Sequence, residues 1–152
     1  MLSTAAIAWL PWRAESFARA RAEGRPVLLS LAPTWCGHSA EMDSATFADT
    51  EVAALVTAHF VAIRVDPDRR PDIAERYSLG GWPTTAFLTP DGEVMAGMTY
   101  IPPDQMRDVL GQWHAPADYL LTRSLPFQRV DRQAKHFPEH VRYVGVFRAG
   151  SR

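Results

Sequence analysis

The sequence predicts an α/β domain with a central mixed sheet and helices on both faces. Three observations carry this. Short apolar runs of strand character alternate with segments of helical spacing, an order that favours parallel pairing under packed helices. A Pro90-Asp91-Gly92 turn separates two further runs and marks a terminal hairpin, which adds antiparallel strands. The single cysteine falls just past the end of a buried-strand run, where sheets of this class gather ligands.

Each element has a local signature. Residues 12–23, rich in Ala, Glu and Arg, predict a helix that stops at Gly24. The run from Val27 to Ala32 is short and apolar, as a buried strand requires. Thr34-Trp35-Cys36-Gly37-His38-Ser39 then opens a helix. Asp49 is placed to cap the next one, because Val52, Leu55, Val56 and Phe60 follow at helical spacing. Residues 60–66 read as a strand, and Pro71 starts a short helix carrying Ile73, Ala74 and Tyr77. Gly80-Gly81-Trp82-Pro83 breaks the chain before the hairpin, whose strands are residues 84–89 and 93–99. Pro103 opens a last helix with Met106, Val109, Leu110 and Trp113 on one face. Trp9, Trp12 and Trp113 are expected in the core or at its edge.

The totals bound the function. A chain of 152 residues with 47% apolar and 22% charged residues fits one globular domain with a real core. A formal net charge of -1 nominates neither nucleic acid nor membrane as a partner. No run is long enough to span a bilayer, and the start lacks the basic flank of a secretory signal. One cysteine permits no internal disulfide, so a cytoplasmic location is expected. Residues 115–152 carry seven Arg or Lys against three acids, whereas residues 1–114 carry nine against fourteen. The expected division is therefore a domain over 1–114 and an unassigned tail over 115–152. That tail holds apolar segments, including 141–147, that suit an added strand or docking on the domain.

At this point the motifs resemble a known family. Cys36, Met42, Phe47 and Glu51-Val52-Ala53-Ala54-Leu55 occur in order, followed by Val65-Asp66, Arg70-Pro71-Asp72, Gly80-Gly81-Trp82-Pro83 and Leu88-Thr89-Pro90-Asp91-Gly92. Thr99-Tyr100 with Pro102 completes the series. The set is similar to the thioredoxin-like domain of spermatogenesis-associated-protein-20-like proteins, over roughly residues 7–114. The resemblance implies a thioredoxin-like fold, with Pro83 in the cis form facing Cys36 and the Trp82 backbone offered to an extended substrate. Three departures stand out. Ser39 replaces the family's second cysteine, Tyr77-Ser78-Leu79 leads directly into Gly80, and Ser30 stands where ordinary thioredoxins bury an aspartate. The resemblance also implies that full-length members continue into a large helical domain, which is not expected within these 152 residues.

The chemistry then centres on Cys36. A thiolate is the nucleophile, and the start of a helix favours it through unpaired N–H groups and the macrodipole. The Ser39 hydroxyl is expected to donate to the sulfur, and a protonated His38 would favour the anion further. Trp35, Gly37, His38, Trp82 and Pro83 are the expected substrate-binding residues, forming an apolar groove suited to a peptide. With Ser at 39, the site can begin an exchange but needs an outside thiol to finish it. The expected activity is monothiol thiol–disulfide exchange or thiol redox chemistry, acting on a protein or a small thiol or disulfide. The alternatives are a redox-inactive binding module and a truncated remnant of a longer protein. No cofactor or metal is expected, because Cys36 and the scattered His38, His59, His114, His136 and His140 lack the spacing of a zinc site. Arg70-Pro71-Asp72 reads first as a helix start.

Overall fold

The computed structural model describes residues 6–113, with the side chains of Gln112 and Trp113 outside the description. The tail over 115–152, the expected core role of Trp113, and His114, His136 and His140 therefore lie outside the described residues. Among the described residues there are five α-helices and four strands: α1 (Ala14–Glu23), β1 (Val27–Leu31), α2 (Gly37–Met42), α3 (Thr50–His59), β2 (Val61–Val65), α4 (Pro71–Tyr77), β3 (Thr84–Leu88), β4 (Val94–Met98) and α5 (Pro103–Trp113). A π-helical segment, Asp43–Phe47, continues α2 without a break.

The sheet order is β2-β1-β3-β4. β1 and β2 pair in parallel, while β3 runs antiparallel to both β1 and β4. The expected mixed sheet is present, and β3 inserts between β1 and its own hairpin partner β4. Side chains alternate between the two faces. Leu28, Ala62, Phe87, Ala96 and Met98 meet α3, α5 and the π segment in one core cluster. Val27, Leu29, Leu31, Val61, Ile63, Val65, Ala86 and Leu88 form the other, with Ala20 of α1 and Ile73 and Tyr77 of α4. Burial on both faces explains why β1 reads as a nearly unbroken apolar run; β3 is buried throughout as well, its two threonines included. A register shift at Phe87/Leu88 leaves Met95 as the extra residue of β4.

Local signals end the elements where the chemistry demands. Gly24 sits at φ 63°, a left-handed conformation that glycine adopts without strain, and closes α1. α1 starts at Ala14, later than expected, because Leu10 has joined the edge of β2 in a bridge to Ile63. The Leu10 N–H donates to the Ala62 carbonyl and the Arg64 N–H to the Leu10 carbonyl, so this segment covers the sheet edge. Trp9 and Trp12 pack, partly buried, against opposite core clusters. Phe60 lies past the end of α3 and is buried at the start of β2. No helix among the described residues is long and apolar enough to cross a membrane.

Asp49 caps α3 by accepting the Glu51 and Val52 amides at 3.1 and 3.0 Å, and Arg107 of α5 reaches its other oxygen at 3.1 Å. The Val52 amide bond foremost, with Arg107 and the Glu51 amide, holds the Asp49 carboxyl below its ordinary value. Asp72 is lowered as well, chiefly by the Arg70 guanidinium. A depressed folded-state value means stability that is fully present above the unfolded Asp value of about 3.9 and lost as pH falls through the folded one. Urea midpoints are therefore expected to hold steady above about pH 5 and to fall in more acidic solution. Asp49→Asn should flatten part of that acid limb. An unchanged limb would show that the cap does not contribute to it.

Candidate functional site

The site lies at the carboxyl ends of the parallel strands β1 and β2. Cys36 is the N-cap of α2, in extended backbone conformation at φ -81° and ψ 117°. Its residue is only 8% exposed. The Ser39 amide donates to Cys36 Sγ at 3.4 Å, so one of the orphan N–H groups of the helix start is aimed at the sulfur. On the other side, Sγ lies 3.9 Å from the Trp82 carbonyl oxygen, close enough for the thiol to donate there. The Trp82–Pro83 peptide bond is cis, and Pro83 is buried. Gly80, at φ 87°, makes the turn into this loop, and a Cβ on Gly81 would meet Thr99 Cγ2 at 3.4 Å. Gly80, in a conformation that glycine adopts without strain, is thus what turns the chain so that the Trp82 carbonyl comes over the sulfur.

The flanking residues differ from one another. Trp35 is 67% exposed, the one large hydrophobic residue so exposed among those described. Its indole N–H donates to Asp68 Oδ2 at 2.6 Å, which ties the ring to the loop after β2. Trp82 is instead partly buried against the α1/α4 core, so the apolar face offered to a partner is mainly Trp35. Gly37 is exposed with open space where a side chain would project. His38 points outward, with 78% side-chain exposure and a 3.7 Å approach to Glu41.

Ser39 departs from expectation. The residue is 3% exposed, yet its hydroxyl oxygen has no hydrogen-bond partner among the described residues. The backbone amide, not the hydroxyl, serves the sulfur. The reason is geometric: an N-cap acceptor meets the N–H three residues on as the helix turns, whatever side chain that residue carries.

Beneath α2 runs a polar row that interrupts the apolar face of the sheet: Arg64, Ser30 and Thr85 are register partners across β2, β1 and β3. Ser30 is 1% exposed, and the side chain that reaches it is the guanidinium of Arg64 at 3.4 Å. A guanidinium therefore reaches Ser30, the position at which the comparison with ordinary thioredoxins implied an aspartate. Thr85 Oγ1 approaches Met42 Sδ at 3.8 Å and donates to the Thr99 carbonyl at 3.3 Å. Sequence reasoning had no place for Arg64. The signal was a lone charged residue in the apolar run Val61-Ala62-Ile63-Arg64-Val65. Arg70, Pro71 and Asp72 form the start of α4, where a two-point Arg70–Asp72 pair at 3.0 and 2.9 Å closes over the first turn.

The fold and the placement of Cys36 against Trp82–Pro83 define a thioredoxin-fold protein. Comparison with solved structures agrees: a thioredoxin from Thermus thermophilus superposes with a TM-score of 0.62 at 27% identity, covering 71% of this chain and 87% of that one. Residues 2–116 match the Thioredox_DsbH family, described as "Protein of unknown function, DUF255", and the chain belongs to that family. It is 36% identical over 104 residues to spermatogenesis-associated protein 20 of Homo sapiens, covering 63% of this chain and 13% of that protein. It is 38% identical over 81 residues to the thiol:disulfide interchange protein DsbD of Ralstonia nicotianae, covering 51% of this chain and 13% of that protein. The chain thus spans a small part of the length of these two relatives.

Proposed function

We propose that Cys36 is the nucleophile of a monothiol exchange site. The observation that carries this is the pair of contacts on one sulfur: an amide donor at 3.4 Å from the first turn of α2, and the Trp82 carbonyl at 3.9 Å from the opposite wall. The amide fixes the sulfur at the first turn of α2, facing the Trp82 carbonyl. The Cys36 thiolate attacks one sulfur of a disulfide, a new S–S bond forms, and the partner leaves as thiolate. A second, external thiolate then attacks the mixed disulfide, restores Cys36 and carries the partner away as a new disulfide. Ser39 stands where an internal thiol would otherwise do this. A reducing compartment such as the cytoplasm would supply the external thiol. Trp35, Gly37, His38, Trp82 and Pro83 form the wall against which the disulfide partner lies. The relative named as a thiol:disulfide interchange protein supports the same chemistry.

The test is incubation with oxidised glutathione, read by intact mass. One glutathione is expected on Cys36, released by excess reduced glutathione, with none on Cys36→Ala. If the adduct forms only after unfolding, the reading fails.

A second reading is a binding module that no longer uses the sulfur. The exposed Trp35, held by Asp68, favours it as a ready contact. Partners recovered equally by the native chain and by Cys36→Ala would support this reading. Partners lost with the sulfur would support exchange.

A further inference from the structure

We propose that Arg64 is a positioning residue for Cys36, acting through Asp43 and Ser39. The inference rests on the reading of Cys36 as nucleophile. Arg64 sits on β2, its backbone locked between the register with Ser30 and the bond to Leu10. Its guanidinium forks onto Asp43, with Nη2 to Oδ1 at 2.6 Å and Nη1 to Oδ2 at 3.0 Å. The same group lies 4.2 Å over the Trp9 ring and 5.8 Å from the Phe47 ring centre. It is thus held from the sheet, from the N-terminal segment and from the π segment at once.

Asp43 transmits that anchorage. Its backbone N–H bonds to the carbonyls of Ala40 and Ser39, at the junction of α2 and the π segment. The amide of that same Ser39 is the donor on Cys36 Sγ. An unbroken series therefore runs from the guanidinium to the Asp43 carboxylate, through one residue of backbone to Ser39, and from Ser39 to the sulfur. The anchorage matters because α2 is only six residues long. So short a helix has little stability of its own, and a π turn is a costly continuation that needs outside support. With the Ser39 hydroxyl unpartnered, the direction of one amide sets where the sulfur is held. The arrangement needs arginine: a planar fork grips both carboxylate oxygens while its face lies on an indole, and lysine can do only the charge.

The experiment measures the rate of Cys36 alkylation by iodoacetamide at neutral pH, with circular dichroism and melting curves to show that each variant is folded at the assay temperature. Arg64→Met and Asp43→Ala are each expected to slow alkylation by about five- to tenfold, within the range that small misplacements of reacting groups cost. The double variant should be no slower than either single one, because both cut the same series. Arg64→Lys should be as slow as Arg64→Met. A lower melting temperature with an unchanged rate would overturn the proposal, leaving Arg64 as support for the fold alone. Slowing by Arg64→Met, acceleration by Asp43→Ala and rescue by Arg64→Lys would overturn it in favour of a simple charge effect. If the native chain itself reacts no faster than the unfolded one, the reading of Cys36 falls, and this proposal with it.

Discussion

Ser39→Cys is expected to turn a chain without dithiol reductase activity into one that reduces insulin disulfides when supplied with dithiothreitol. Residue 39 is buried in the first turn of α2, with its amide already on Cys36 Sγ at 3.4 Å. A sulfur at this position sits one helical turn from the first, the spacing at which a helix brings side chains to one face. The introduced thiol would then attack the mixed disulfide formed by Cys36, releasing the partner as thiol and leaving an internal disulfide between Cys36 and the new sulfur for the reductant. The substitution should also stabilise the fold. The Ser39 hydroxyl is buried without a partner, which costs about 1–3 kcal/mol, and a thiol loses less on burial. Resolution should speed up as pH rises, because position 30 is Ser30 and offers no carboxylate to take the proton from the introduced thiol. Activity measured across pH, with the melting temperature beside it, checks both parts. A folded variant that forms the internal disulfide yet never reduces insulin would show that the Trp82–Pro83 wall does not receive a peptide.

The elements were legible where local chemistry decides them. Gly24 ended α1, Asp49 capped α3, Pro71 began α4 and the Pro90-Asp91-Gly92 turn made the hairpin, each through a rule that acts within a few residues. The alternation of apolar runs was enough for the sheet. The place of Cys36 at the start of α2, just past β1, was also legible, since a motif after a buried strand carries its own address. What escaped was long-range. The bridge from Leu10 to Ile63 joins residues far apart in sequence, and nothing around Leu10 distinguishes an edge strand from a loop. The polar row is equally invisible, because Ser30 and Arg64 become neighbours only through the parallel register of β1 and β2. The π segment needed its partners too: Asp43 carries no local signal until Arg64 grips it. At Ser39 the backbone amide, not the hydroxyl, meets the sulfur, because residue spacing along a helix fixes which residue faces Cys36 but not which of its atoms does.

Phe87→Ala is expected to cost about 3–5 kcal/mol, the range for removing a fully buried phenylalanine ring. Phe87 has no exposed surface and lies on the inner strand β3, its ring 5.8 Å from that of Phe60. Neighbours on both sides are held by strand pairing, so the cavity cannot close by a simple shift of β3. Such a loss is a large share of a typical total of about 5–15 kcal/mol, and the melting temperature should fall by about 10–20 °C. The effect on Cys36 should be of another kind. Phe87 follows Pro83 by four residues, about 13 Å along a strand, and none of the bonds to the sulfur or to Asp43 involves it. Well below its melting temperature, Phe87→Ala should therefore alkylate at Cys36 within about twofold of the native rate, since effects at separate sites add without coupling. Arg64→Met is expected to show the reverse balance, a slower thiol out of proportion to any loss of stability. Measuring both variants by urea unfolding and by alkylation separates the residues that hold the domain together from those that aim its sulfur. If Phe87→Ala slowed the thiol as much as Arg64→Met, the reactivity of Cys36 would track global stability, and no dedicated path from the sheet to the sulfur would be needed.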